Sequence, residues 1–115
     1  MLTVLILITS DPRTSHRPAE AIRIAAGVGV WKRAEVIIYL REPAVLALSE
    51  DTGGFVDEEN YTRYLPLVRD SGHPIYVQRG AALLPKAGET SFKFEELADD
   101  ELARLAAHST YVMRF

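Results

Sequence analysis

Apolar positions fall along the chain in blocks of two periods. Leu2–Thr9 is a continuous apolar run rich in β-branched residues, ended by Ser10-Asp11-Pro12. Such a run predicts a strand buried on both faces, as parallel strands are. Glu35–Leu40, reading EVIIYL, predicts a second such strand, and Pro74–Val77 a third. Between the first two, Ile22, Ala25, Ala26 and Gly29 recur at i, i+3, i+4 and i+7, the spacing of one helix face. Pro18 suits the first turn of that helix, where its missing N–H leaves no bond unmade. Strand, helix and strand within about forty residues form a βαβ unit.

Further on, PAVLALSE at 43–50 predicts a short helix or turn, and DTGGFVDEEN at 51–60 a loop. Tyr61, Tyr64, Leu65 and Val68 form a second helical stripe; Pro66 must sit early in that helix or kink it. Gly72 suits its C-terminal cap. Residues 79–91 read as a long loop with one helix-compatible turn, and Phe92–Phe94 as a brief strand. Asp99 or Asp100 is expected to cap a last helix that buries Leu102, Leu105 and Ala106. STYVMRF at 109–115 reads as a final strand. The order implies a single α/β domain over 1–115: a three-layer sandwich with a mainly parallel central sheet and helices on both faces.

Composition narrows the classes of function. The net charge is −3, which argues against nucleic acid or an anionic membrane as the main partner. The charge is uneven: residues 1–41 carry a net +3, the remainder −6. There is no cysteine, so disulfides, thiolate metal sites and cysteine nucleophiles are excluded. The opening MLTVLILITS lacks a positive n-region and is too short to span a bilayer, so a cytoplasmic location is expected.

In parallel sheets of this kind, ligands bind beyond the carboxyl ends of the strands. Three loops are expected there: SDPRTSHR, REPAV and QRGAAL. From them we take Arg13, Ser15, His16, Arg41, Gln78 and Arg79 as candidate ligand-binding residues. The first loop precedes a helix N-terminus, whose free N–H groups favour anions. A polar loop that merely caps the helix accounts for the same residues, and no glycine-rich phosphate signature is present. His16 could act as an acid or base, but no local spacing supplies it with a nucleophile and an orienting carboxylate. His73 and His108 are read as structural or solvent-facing. The three histidines lack metal-ligand spacing, and no cofactor is expected. Val28, Val30 and Trp31 sit in a helix-to-strand turn, where they suit either packing or a subunit interface.

Taken together, the pieces LILITSDP, AEAIRIAAGV, AEVIIYLREPAVLAL, YLPLVRDSGHPIYVQRGAALLPKAG and DDELARLAAHSTYVMRF resemble, in order and spacing, the DsrE/DsrF-like family. That family includes the sulfur-relay subunits of the TusBCD and DsrEFH complexes. The resemblance covers most of the chain. It implies a DsrE-like fold, flavodoxin-like in general layout, and assembly into homo-oligomeric trimers or hexamers, or with related partner subunits. Its sulfur-carrying members place a persulfide-forming cysteine after the third strand. Gln78 occupies the matching position, and an amide cannot form a persulfide. The resemblance therefore implies a member without that chemistry: a binding module rather than an enzyme. The alternatives are a structural subunit of a sulfur-relay assembly, or an enzyme using His16 on an anionic metabolite.

Overall fold

The computed structural model describes residues 2–31, 33–88 and 90–115. Five strands form one sheet: β1 (Leu2–Ile8), β2 (Ala34–Leu40), β3 (Ile75–Gln78), β4 (Glu95–Leu97) and β5 (Tyr111–Arg114). Their spatial order is β4-β3-β2-β1-β5, and every neighbouring pair is parallel. The helices are α1 (Arg17–Gly29), α2 (Glu58–Asp70) and α3 (Asp99–His108). Short 3₁₀ helices cover Glu42–Leu48 and Leu84–Ala87.

The two central strands are apolar on both sides because both sides are covered. Val4, Ile6 and Ile8 of β1, with Val36, Ile38 and Leu40 of β2, pack with Ala19, Ile22, Ala25 and Ala26 of α1 and Tyr61, Leu65 and Val68 of α2. The alternate residues Leu5, Ile37 and Tyr39 face the opposite layer, where Leu102, Leu105 and Ala106 of α3 cover them. This is the expected three-layer α/β sandwich, with unequal outer layers: two long helices on one face and a single helix on the other. Among the described residues, no helix is long and apolar enough to cross a membrane.

Four details depart from the pattern-based reading. The fourth strand is Glu95–Leu97, not Phe92–Phe94. Phe92 and Phe94 are half-buried against the main core, and pairing with β3 begins only where Glu95 meets Tyr76. The N-cap of α3 is Ala98, not an aspartate; Glu101 reaches back and its carboxylate accepts the Ala98 N–H at 2.9 Å. Asp99 is thereby displaced into the first turn. Pro66 lies well inside α2, which continues to Asp70 around it. Finally, Gln78 is the last residue of β3 rather than the first of the loop. Gly72 takes the expected place just past α2, with φ +76°, a left-handed conformation that glycine adopts without strain.

Candidate functional site

All five strands run the same way, so their carboxyl ends share one edge. Backbone bonds stitch that edge together: Arg41 N–H donates to the Ile8 carbonyl at 2.9 Å, Arg79 N–H to Leu97 at 3.0 Å, and Thr9 N–H to Phe115 at 3.2 Å. The six candidate residues all lie along it, in two groups.

The first group surrounds the start of α3. Arg41 Nη1 donates to Asp99 Oδ1 at 2.9 Å and to the Tyr39 hydroxyl at 3.2 Å. Arg79 Nη2 donates to Glu101 Oε1 at 3.2 Å. The hydrogen bond from Arg41 holds the Asp99 carboxyl below the usual aspartate range. These arginines are thus engaged with acids at the positive end of a helix dipole, where carboxylates are favoured. Together they tie α3 across the ends of β2 and β3.

Gln78 belongs to the same group, and its work is local. Its Oε1 accepts the Glu42 N–H at 3.0 Å. Glu42 has φ +53° and precedes Pro43, an unusual backbone for a residue with a side chain. The glutamine amide therefore holds the turn out of β2 by a bond across the strand ends. Gln78→Ala removes that acceptor and should lower stability by about 0.5–1.5 kcal/mol. Amide exchange should show faster opening at Glu42 and the residues after it, and unchanged exchange there would contradict this role.

The second group is the first loop. Asp11 orders it: its carbonyl accepts the Thr14 and Ser15 N–H groups, and its carboxylate accepts Arg13 through the backbone and the guanidinium. The Arg13 hydrogen bond, opposed by some burial, lowers the Asp11 pKa. Ser15 Oγ accepts the Arg17 N–H at 3.1 Å, and His16 takes the N-cap position of α1 without a side-chain cap bond. The ring of His16 has no hydrogen-bonded partner among the described residues, and no nucleophile–base pair forms around it.

Arg13 has a second setting. With Lys86 it enters a cleft of about 500 Å³ lined by Leu46, Ser49, Glu50, Asp51, Phe55 and Ala87. The cleft lies where the first loop meets the segment before α2, joined by the Val56 N–H to Pro12 carbonyl bond at 2.9 Å. Lys86 and the 49–51 segment were not among the sequence candidates. Their stretches read only as loop and helix-compatible turn, and nothing local signals that they meet Arg13. Against Phe55 packs Tyr61, 2% exposed, the two rings meeting edge-on at 5.4 Å. Its hydroxyl is buried without a hydrogen-bond partner among the described residues. Burial, helped by Asp57 and Asp11, pushes its pKa far up. No group of three or more metal-ligating side chains occurs among the described residues.

The fold matches that of the YchN protein from E. coli, known from a crystal structure. The TM-score is 0.82, the alignment covers the whole of both chains, and 18% of residues are identical. The match bears out the expected DsrE-like, flavodoxin-like α/β architecture. No protein-family model matches the chain. No curated protein matches it by sequence.

Proposed function

We propose that the protein is a non-enzymatic DsrE-like module that binds a small anionic ligand at the carboxyl edge of its sheet and works as a homo-oligomer, a trimer or hexamer. The observation that carries this reading is the cleft of about 500 Å³ entered by Arg13 and Lys86. Its volume lies within the range of small-ligand sites. An apolar floor of Leu46, Phe55 and Ala87 suits the body of a small molecule. Arg13 keeps donors beyond those given to Asp11, because a guanidinium carries five N–H groups. Glu50 and Asp51 also line the cleft and would draw any positive group that the anionic ligand carries. Arg41 and Arg79, engaged with α3, act as scaffold in this reading.

A second reading, a structural subunit of a sulfur-relay-like assembly, draws on different features. The chain lacks cysteine, and Leu2, Val30, Trp31, Tyr111, Val112 and Met113 are exposed apolar residues. Apolar surface of this kind gains by burial against another subunit.

Native mass spectrometry of the purified protein tests both. A trimer or hexamer retaining an extra mass, lost in Arg13→Ala and Lys86→Ala, is the expected result. A bare assembly that captures cysteine-bearing DsrE-like subunits favours the structural subunit. A bare monomer overturns the oligomeric reading.

A further inference from the structure

Among the described residues, the sheet ends in two strands that pair on one side only, β4 and β5. Such a strand leaves a row of backbone N–H and C=O groups open, and proteins commonly guard that row with charge. β4 is guarded, because Glu95 and Glu96 stand side by side on it. Pairing it antiparallel with its own copy would set carboxylate against carboxylate, which is destabilising. β5 has no such guard. All four of its residues are exposed, and Tyr111, Val112 and Met113 are uncharged.

The bonds at the end of β5 show which backbone groups face outward. The Phe115 N–H donates to the Leu7 carbonyl at 2.8 Å, and the Phe115 carbonyl accepts the Thr9 N–H at 3.2 Å. Successive strand residues direct these groups to alternate sides. Phe115, Met113 and Tyr111 therefore turn theirs toward β1, while Arg114 and Val112 turn theirs away from the sheet. The Arg114 carbonyl agrees with this: it accepts Arg17 Nη2, from the first turn of α1, at 3.1 Å. Side chains alternate as well. Tyr111 and Met113 are in register with Val4 and Ile6 and lie on the α1 side; Val112 is in register with Leu5 and lies on the α3 side. Leu2, also exposed, extends the apolar strip on the α1 side.

We propose that β5 pairs antiparallel with β5 of a second copy across a two-fold axis at Met113, joining two trimers into a hexamer. The proposal rests on the homo-oligomeric reading above and names one of its contacts. In this register Val112 of each copy exchanges backbone bonds with Arg114 of the other. Met113 meets its own copy at the axis, and the stem of Arg114 lies along Val112. Leu2, Tyr111, Val112 and Met113 are each about half exposed or somewhat less. They offer on the order of 300 Å² per copy, since a whole aromatic side chain buries about 150–250 Å². One such contact, roughly 600 Å² over both copies, falls short of the ~1,200 Å² of a stable isolated pair. Three of them acting together between two trimers exceed it. The area therefore favours a joint between trimers over a free dimer.

Two variants of the full chain test this. Val112→Pro removes an outward N–H, and proline is tolerated at such an edge position. Native mass spectrometry at one protein concentration should show a hexamer for the parent chain and a trimer for the variant. Circular dichroism reports whether the variant is folded. Met113→Cys decides the matter even if it is not. The chain has no cysteine of its own. Residues facing each other in a non-hydrogen-bonded antiparallel pair have Cα atoms about 4.5 Å apart, within disulfide reach. With oxidised glutathione, Met113→Cys should run as a covalent pair on a non-reducing gel. Leu67→Cys, at an exposed position on α2, should stay single. A parent chain that is a bare trimer overturns this contact and leaves the oligomeric reading standing, whereas a bare monomer overturns both. A hexamer that survives a folded Val112→Pro, or Met113→Cys that links no better than Leu67→Cys, overturns the contact alone.

Discussion

Leu5→Ala should lower the stability of the protein by about 2–5 kcal/mol, the range for a large-to-small change in a packed core. Leu5 is fully buried in the middle of β1, and it faces the thinner outer layer. On that side the buried cluster, among the described residues, is Leu5, Ile37 and Tyr39, beneath half-buried Leu102, Leu105 and Ala106 of α3 and neighbouring strand residues. The lost side chain is therefore a large share of what holds α3 to the sheet. The remaining ties are Arg41–Asp99 and Arg79–Glu101, both solvent-exposed pairs that contribute little on their own. Urea unfolding should show a lower midpoint with an unchanged slope. Amide exchange should speed up in α3 more than in α1. A loss below about 1 kcal/mol would mean that α3 closes over the gap and that the layer is more plastic than its packing suggests.

Tyr61→Phe should raise stability, by about 1 kcal/mol at neutral pH. The hydroxyl is buried without a partner among the described residues, and an unsatisfied buried polar group costs about 1–3 kcal/mol, some of it recovered when the group is removed. Phenylalanine keeps the ring and its edge-on contact with Phe55. For a domain of this size the melting temperature should rise by roughly 4 °C. A fall instead would show that a bound water satisfies the hydroxyl and that the site is wetter than its protein contacts indicate.

The same residue predicts a pH dependence. Burial raises the pKa of Tyr61 above its ordinary value of 10.0, and burial raises that of Tyr39 as well. Above pH 10 the unfolded chain releases these protons while the folded chain keeps them. The folded state then binds more protons, so stability falls as pH rises. The contribution is fully present below pH 10 and is lost as pH climbs toward the folded-state pKa. Each such group steepens the loss by up to about 1.4 kcal/mol per pH unit. Tyr61→Phe should flatten the alkaline slope, leaving the part due to Tyr39. An unchanged slope in the variant would assign the whole effect elsewhere.

These expectations rest on features with very different visibility in the sequence. The strands β1 and β2 were plain, because a parallel strand covered on both faces must be apolar at successive positions and leaves an unbroken run. The stripes of α1 and α2 were equally plain, since each buries one face. β4 lies three residues beyond the Phe92–Phe94 run that the pattern marks. Its own sequence, Glu95-Glu96-Leu97, has no strand character, and an edge strand is defined by the neighbour that pairs with it. The cap of α3 falls on Ala98, before the aspartates, because the Glu101 carboxylate accepts the N–H of Ala98 itself, a bond that the cap preferences of aspartate do not reveal.

At the carboxyl edge, topology alone brought Arg13, Ser15, His16, Arg41, Gln78 and Arg79 within view, since every loop leaving a parallel strand must begin there. Which of them remain available was decided by partners far away in the chain. Arg41 meets Asp99, Arg79 meets Glu101 and Gln78 meets Glu42, while Arg13 meets its own loop and then Lys86 across a cleft. The sequence by itself determined the layered architecture, because burial leaves a periodic record in the residues that are buried. Only the tertiary structure decided which polar side chains are engaged in holding the fold and which line a cleft. A hydrogen bond or ion pair depends on two groups meeting within about 3 Å, and residues 20 to 60 positions apart carry no mark of that meeting.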